Sequence, residues 1–211
     1  MAVEIKAIIA ELTAFYDFRD KTVISVGAGG GQMVEFARAA KKVIAVDRDP
    51  VALEKLRESL AASRLEDGVF PVLSDFHRIT ARADAVLFEF SLHEMDDPES
   101  ALKHAATLAP NVVVIDHWPG SEWSYYAGEE DKVAAAWTAI SRFAPKNRER
   151  RETIQVFEKY EDLYPKLKVM GETSLSRIRG YEGRLDIRIP MPYGLALIRS
   201  HPGSEPVPEI P

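Results

Sequence analysis

Val23-Ile24-Ser25-Val26-Gly27-Ala28-Gly29-Gly30-Gly31-Gln32 is the stretch that decides the fold. Its β-branched run predicts a buried strand, the glycines a tight turn, and the pattern from Met33 to Ala40 a crossover helix. Glycine permits positive φ and close approach of backbone to a ligand. A strand feeding such a turn, with a helix behind it, cradles the polar end of a nucleotide-like cofactor.

The pattern repeats outward from that turn. Apolar residues at helical spacing from Ile5 to Tyr16 predict an opening helix over 3–19. Val43–Val46, Val69–Leu73, Ala85–Phe88 and Val112–Ile115 read as further buried strands. Pro50 and Pro98 suit the first turns of helices over about 50–61 and 98–108. Nearly continuous apolar strands separated by helices predict a doubly wound, Rossmann-like α/β sheet, mostly parallel and covered on both faces.

The last third has a different pattern. Val133, Trp137 and Ile140 mark one helix, and Ile154, Phe157, Tyr160, Leu163 and Leu167 fit another. Residues 176–181, 185–189 and 195–199 read as strands forming an antiparallel carboxy-terminal edge. Residues 1–200 are expected to be a single domain, with 145–170 a possible cap or dimer insertion. The charge cluster at Arg148, Arg150 and Arg151 is more often a solvated helix face. The tail 201–211 holds four prolines and is expected to be irregular.

Composition narrows the function classes. The 211 residues contain no cysteine, which removes disulfides, thiolate metal sites and a cysteine nucleophile. A net charge of −6 argues against a nucleic-acid partner, since a phosphate backbone selects basic faces. Neither a signal peptide nor a membrane span is evident, so the expectation is a cytoplasmic protein with no membrane partner. A homodimer is possible.

A dinucleotide fingerprint, G-x-G-x-x-G, would need glycine where Gln32 stands. The chain reads G-x-G-x-G across Gly27, Gly29 and Gly31, and here it resembles the class I S-adenosylmethionine (SAM)-dependent methyltransferases. The resemblance extends through Asp47 at the end of the second strand, Asp75-Phe76 after the third, and Phe90-Ser91-Leu92-His93-Glu94 after the fourth. It implies a seven-stranded sheet and SAM as cofactor, held by Gly27, Ala28, Gly29, Gly31, Asp47, Arg48, Asp75, Phe76 and Phe90. Asp47 would take the ribose and Asp75 lie near the adenine. One position departs from the family: its acid before the first glycine is Ser25, which supplies no charge opposite an ammonium.

The residues support ribose recognition independently, because a carboxylate at a strand end can accept both hydroxyls of a diol. The same carboxylate would serve NAD, so it does not choose the cofactor. Asp47 and Asp75 could instead cap helices. Methyl transfer from a sulfonium rests mostly on alignment, with a base needed only if the acceptor must lose a proton. His93 and His117, at the ends of the fourth and fifth strands, are the candidate catalytic residues; packing and loop-holding are their alternatives. No metal is expected, since nothing in the spacing of His93, Glu94, Asp116 and His117 specifically asks for one. The aromatic segment His117–Tyr126 is the candidate substrate wall, and Phe15 and Tyr16 could form a lid.

The leading reading is therefore a SAM-dependent methyltransferase acting on a small-molecule acceptor. A non-catalytic SAM-binding accessory protein is the alternative, with an NAD(P)-dependent oxidoreductase behind it.

Overall fold

The computed structural model describes residues 2–29, 31 and 34–200. Helix α1 (Ala2–Phe15) leads into β1 (Thr22–Val26), and a short 3₁₀ turn (Val34–Arg38) carries the chain to β2 (Lys42–Asp47). Then follow α2 (Pro50–Ser63), β3 (Val69–Leu73), β4 (Ala85–Glu89), α3 (Pro98–Leu108) and β5 (Asn111–His117). The main sheet has seven strands and reverses its order at β1 and β4, running β3-β2-β1-β4-β5 and then two strands from the carboxy-terminal third. Ligands bind at such a reversal, beyond the carboxyl ends of the strands.

Physical reasons for these elements are local. Both α2 and α3 begin with proline behind an aspartate cap: Asp49 accepts from the Val51 amide and Asp97 from the Ser100 amide. Every residue of β4, and β5 from Val112 onward, is buried, as expected of central strands covered by helices on both faces. Ile24, Val86, Phe88 and Val114 face one core, while Val23, Leu87, Val113 and Ile115 face the other. This is the alternation a two-sided sheet requires. The expected crossover helix from Met33 is a single 3₁₀ stretch; its Gln32 and Met33 fall outside the described residues. The opening helix stops at Phe15 rather than 19, leaving Tyr16 and Phe18 to pack edge-to-face in the core.

The carboxy-terminal third corrects the sequence reading in three places. It runs α4 (Glu122–Ala127), α5 (Glu130–Arg142), β6 (Asn147–Arg151), β7 (Ile154–Lys159), α6 (Tyr160–Lys168), α7 (Glu172–Ile178), β8 (Leu185–Pro190) and β9 (Tyr193–Arg199). The arginine cluster is not on a helix: β6 is the outermost strand of the main sheet, pairing antiparallel with β9, which pairs antiparallel with β5. Charge on an edge strand blunts further pairing. Residues 154–159 are strand, not helix, because β7 buries Phe157 and leaves Ile154 and Val156 exposed. Residues 176–181 are helical, not strand: Ser174 and Ile178, one helical turn apart, are both buried, and Ser174 Oγ donates to the Ala127 carbonyl.

Only β9 of the three expected carboxy-terminal strands therefore joins the sheet. β8 pairs with β7 in a separate two-stranded ladder. With α4, α6 and α7 that ladder encloses a small apolar core of Phe157, Leu163, Leu167, Ile178, Ile187 and Ile189. Residues 201–211 lie outside the described residues.

Candidate active site

Gly27 is where the fold and the site meet. It adopts φ +70°, and a Cβ there would lie 2.2 Å from Ser91 Cβ. No other residue type fits without moving the loop after β4. Ser91 completes the join, its Oγ donating to the Val26 carbonyl at 2.6 Å. Gly31, at φ +73°, packs on α2, with a Cβ 2.9 Å from Ser59 Cβ. Asp47 fixes the turn from the other side: Oδ2 accepts from the Gly29 amide at 3.0 Å and Oδ1 from the Asp49 amide at 2.9 Å. Asp49 caps α2, so Asp47 is free of that duty.

Beyond these strand ends lies a cleft of about 610 Å³. Gly27, Asp47, Arg48, Asp75, Phe76 and Phe90 of the expected cofactor set line it. Asp75 also caps a short turn by accepting from the His77 amide at 2.8 Å, which occupies one oxygen and leaves the other. Ala28 and Gly31 lie below, around a small void beneath the turn that Ser25 and Glu89 also line. Gly29 contributes its bond to Asp47. The structure adds Ser91, Glu94, Met95, Asp96 and Asp97 to the cleft. Its rim is strongly acidic, with Asp47, Asp49, Asp75, Glu94, Asp96 and Asp97 against Arg48.

Glu89 is a residue the sequence reading missed. Buried at the end of β4, its carboxylate accepts from the Ser25 hydroxyl. Burial pushes its pKa up to about 7, against the opposing effect of that bond. A glutamate closing the apolar run Ala85–Phe88, beside the strand that lacks the motif acid, was the available signal. Phe90, next in the chain, holds φ +49°, a strained conformation for a bulky residue. Its amide donates to the Ile115 carbonyl at 2.8 Å, and its ring lies 4.9 Å from that of His117.

The two candidate catalytic histidines do come together, with ring centroids 5.4 Å apart. Asp116, fully buried, organises them. It accepts from the amides of His93 at 3.0 Å and His117 at 2.8 Å, and its Oδ1 lies 2.5 Å from His93 Nδ1. His93 Nε2 faces Glu94 at 3.3 Å and Glu129 at 3.7 Å. Burial works against a charge on His93, but bonds to Asp116, Glu129 and Glu94 outweigh it and raise its pKa to about 11. Burial dominates at His117 and lowers its pKa to about 4. Neither ring keeps the near-neutral value of a free histidine.

The expected aromatic wall does not form as one surface. Trp118 packs on Trp137 at 4.6 Å, whose Nε1 donates to the His117 carbonyl at 2.6 Å. Trp123 stacks on Phe157, Tyr126 meets Tyr181, and Tyr125 is exposed beneath Arg177. None of them lines the cleft, and neither do Phe15 and Tyr16.

A glycine turn, a strand-end acid that holds it, and a cleft at the sheet's reversal are the frame of a nucleoside-cofactor enzyme. A family model described as a methyltransferase domain matches residues 1–177. The chain belongs to that family. Its fold is that of the class I methyltransferases. The tRNA (guanine(37)-N(1))-methyltransferase Trm5b of Methanocaldococcus jannaschii is 31% identical over 65 residues, covering 31% of this chain and 19% of that protein. The ribosomal protein L11 methyltransferase of Carboxydothermus hydrogenoformans is 33% identical over 85 residues, covering 38% of this chain and 28% of its own. The matched region thus spans under a third of either relative. Among solved structures, the magnesium protoporphyrin IX methyltransferase of Synechocystis PCC 6803 with bound S-adenosylhomocysteine (SAH) matches with a TM-score of 0.58 at 12% identity, covering 94% of this chain and 83% of that one. The targets named for these proteins differ in kind. No helix among the described residues is long and apolar enough to cross a membrane.

Proposed function

We propose that this chain is a SAM-dependent methyltransferase acting on a small-molecule acceptor. The observation that carries the reading is the acidic rim. Six carboxylates against one arginine repel a phosphate backbone and leave a cleft sized for the cofactor and a compact partner. The net charge of −6 points the same way. The one relative named for a tRNA target keeps RNA as the second reading.

Bound SAM supplies a methyl group on a positively charged sulfur, already activated for displacement. In our reading the chain's residues bind and orient. Asp47 keeps acceptor capacity for a ribose diol after its two backbone bonds, and Asp75 keeps a free oxygen for an exocyclic amine. Gly27 and Gly29 bring backbone close to the ligand, and Phe76 and Phe90 offer apolar faces. Arg48 lies beside Asp47 at the ribose end. Ala28 and Gly31 support the turn from below. Glu89 places near Ser25 the carboxylate that the first strand lacks. Binding the cofactor's ammonium close to it would favour the ionised form, so cofactor affinity should rise as pH passes through about 7. His117, held neutral, is the proton acceptor for an acceptor that must lose a proton. His93, held charged by its three carboxylates, is a positioning residue.

The test combines binding and turnover. Thermal stability is followed with SAM, SAH and NAD, then methyl transfer from labelled SAM is scored on small thiols, phenols, amines and acids, and on tRNA transcripts. The expected result is a raised midpoint with SAM and SAH only, and label in small molecules. Label in RNA alone would overturn the acceptor reading. His117→Ala is expected to keep SAH affinity and lower turnover at least tenfold; full turnover would return His117 to a packing role.

A further inference from the structure

The chain contains a buried cluster that cofactor binding does not explain. Ring nitrogens of His93 and His117 and a carboxylate oxygen of Glu129 lie within 4.8 Å of one another, and all three residues are buried. We propose that these residues bind one divalent transition-metal ion of the zinc type, with Glu94 at the open side. The inference does not depend on which acceptor is methylated; a bound ion would occupy the lone pair that His117 otherwise offers a proton, so metal binding and the proton-acceptor role exclude each other.

Four features support it. First, the donor set is right: two imidazoles with a carboxylate select zinc and its neighbours over magnesium or calcium, which prefer oxygen alone. Bonds of about 2.0–2.2 Å put donors about 3–4 Å apart around a tetrahedral ion, so the cluster needs only a small contraction. Second, His93 is oriented as metal-bound histidines are. Its Nδ1 is fixed on the Asp116 carboxylate at 2.5 Å, leaving Nε2 to face Glu94 at 3.3 Å and Glu129 at 3.7 Å. A carboxylate behind the ligating imidazole fixes its tautomer and strengthens it as a ligand, and the ion would displace the proton that the carboxylates otherwise hold on Nε2.

Third, His117 Nδ1 is completely buried without a hydrogen-bond partner. An unsatisfied buried nitrogen is costly, and the ring that carries it is one of the three residues of the cluster. Fourth, the cluster has a way in. Glu94 is partly exposed and lines the cleft, while its Oε1 reaches His93. The ligands also come from rigid places: His93 follows β4, His117 ends β5, and Glu129 immediately precedes α5. Glu129 is what sequence spacing could not supply, since 36 positions separate it from His93 and nothing local marks it.

The full chain, stripped with a chelator and dialysed, is titrated with zinc chloride by calorimetry and with cobalt chloride by visible absorption. One equivalent of zinc is expected, with intense four-coordinate cobalt bands and a melting midpoint raised by roughly 5 °C at a hundredfold excess over Kd. Glu129→Gln and His117→Gln should each weaken zinc binding at least tenfold and abolish those bands. Their metal-free circular dichroism and melting should stay near those of the parent. Should one variant fail to fold, the other and the parent's cobalt spectrum still decide. Absence of stoichiometric zinc binding by the parent would overturn the site, as would affinity unchanged in a folded variant. Either would leave His93 in a proton-bound carboxylate cluster only. SAH binding measured on the same stripped samples is expected to persist, which separates failure of this site from failure of the methyltransferase reading.

Discussion

The half of the molecule that frames the cofactor cleft and the third that follows β5 obey different rules of legibility. From β1 to β5 each strand is a short apolar run, each long helix starts at a capped proline, and side chains divide cleanly between two cores. After β5, α5 and β9 still pack on the two main cores, whereas α4, β7, α6, α7 and β8 are short and form a satellite core. The lesson is that periodicity is informative where an element is long or buried on both faces. In a five- or six-residue element with one buried side chain, helix and strand spacing fit equally well.

Substitutions should expose that contrast. The largest effect is expected at the turn: Gly27→Val meets Ser91 and a positive φ together. It should lower stability by about 3–4 kcal/mol in urea denaturation and remove SAH binding. A loss below about 1 kcal/mol would mean that the β4 loop yields more readily than its bond to Val26 suggests. Next comes Asp47→Ala, which removes the anchor of the turn and the proposed ribose ligand. SAH affinity should fall about 100-fold, roughly 2.7 kcal/mol, by calorimetry. Unchanged affinity would withdraw the ribose assignment.

Glu89 gives a pH signature. Its folded pKa, about 7, stands above the ordinary 4.5, so folding takes up a proton. Its stabilising contribution is complete below about 4.5 and is lost as pH rises through about 7, at up to about 1.4 kcal/mol per pH unit. His117 works in the opposite sense. Its folded pKa is depressed to about 4 from 6.5, so its contribution is present above 6.5 and lost as pH falls through 4. The difference between the parent and Glu89→Gln, measured by denaturation from pH 5 to 8, isolates the glutamate. A difference that does not change with pH would show that Glu89 stays ionised throughout. The smallest effect belongs to the satellite: Val156→Ala, on the exposed side of β7, should cost under about 1 kcal/mol and leave SAH binding unchanged. A larger loss would show this third to be as tightly coupled as the sheet.

The site was legible to the same degree as its supports. Gly27, Asp47 and Asp75 stand at the ends of strands the sequence marks plainly, and their places in the cleft follow from the parallel topology. His93 and His117 were found because both follow buried strands. Glu89 was half visible, a charge ending an apolar run. Asp75's capping of the short turn was anticipated beside its place in the cleft, whereas Glu129 and the dispersal of the aromatics were invisible. These depend on how α4, α5 and β7 pack, which no local pattern records.

By itself the sequence determined the sheet, the glycine turn and the departure from a dinucleotide fingerprint. Each of those is written in short-range physics: apolar runs, positive-φ glycines, capped prolines and one spacing that ends on Gln32. Only the tertiary structure decided what stands opposite Ser25 and what surrounds the two histidines. It set Glu89 of β4 against Ser25 of β1, 64 positions apart, and closed Asp116, Glu94 and Glu129 around His93. The reason is that burial and pairing fix the charge state of a polar group, and residues distant in the chain supply both.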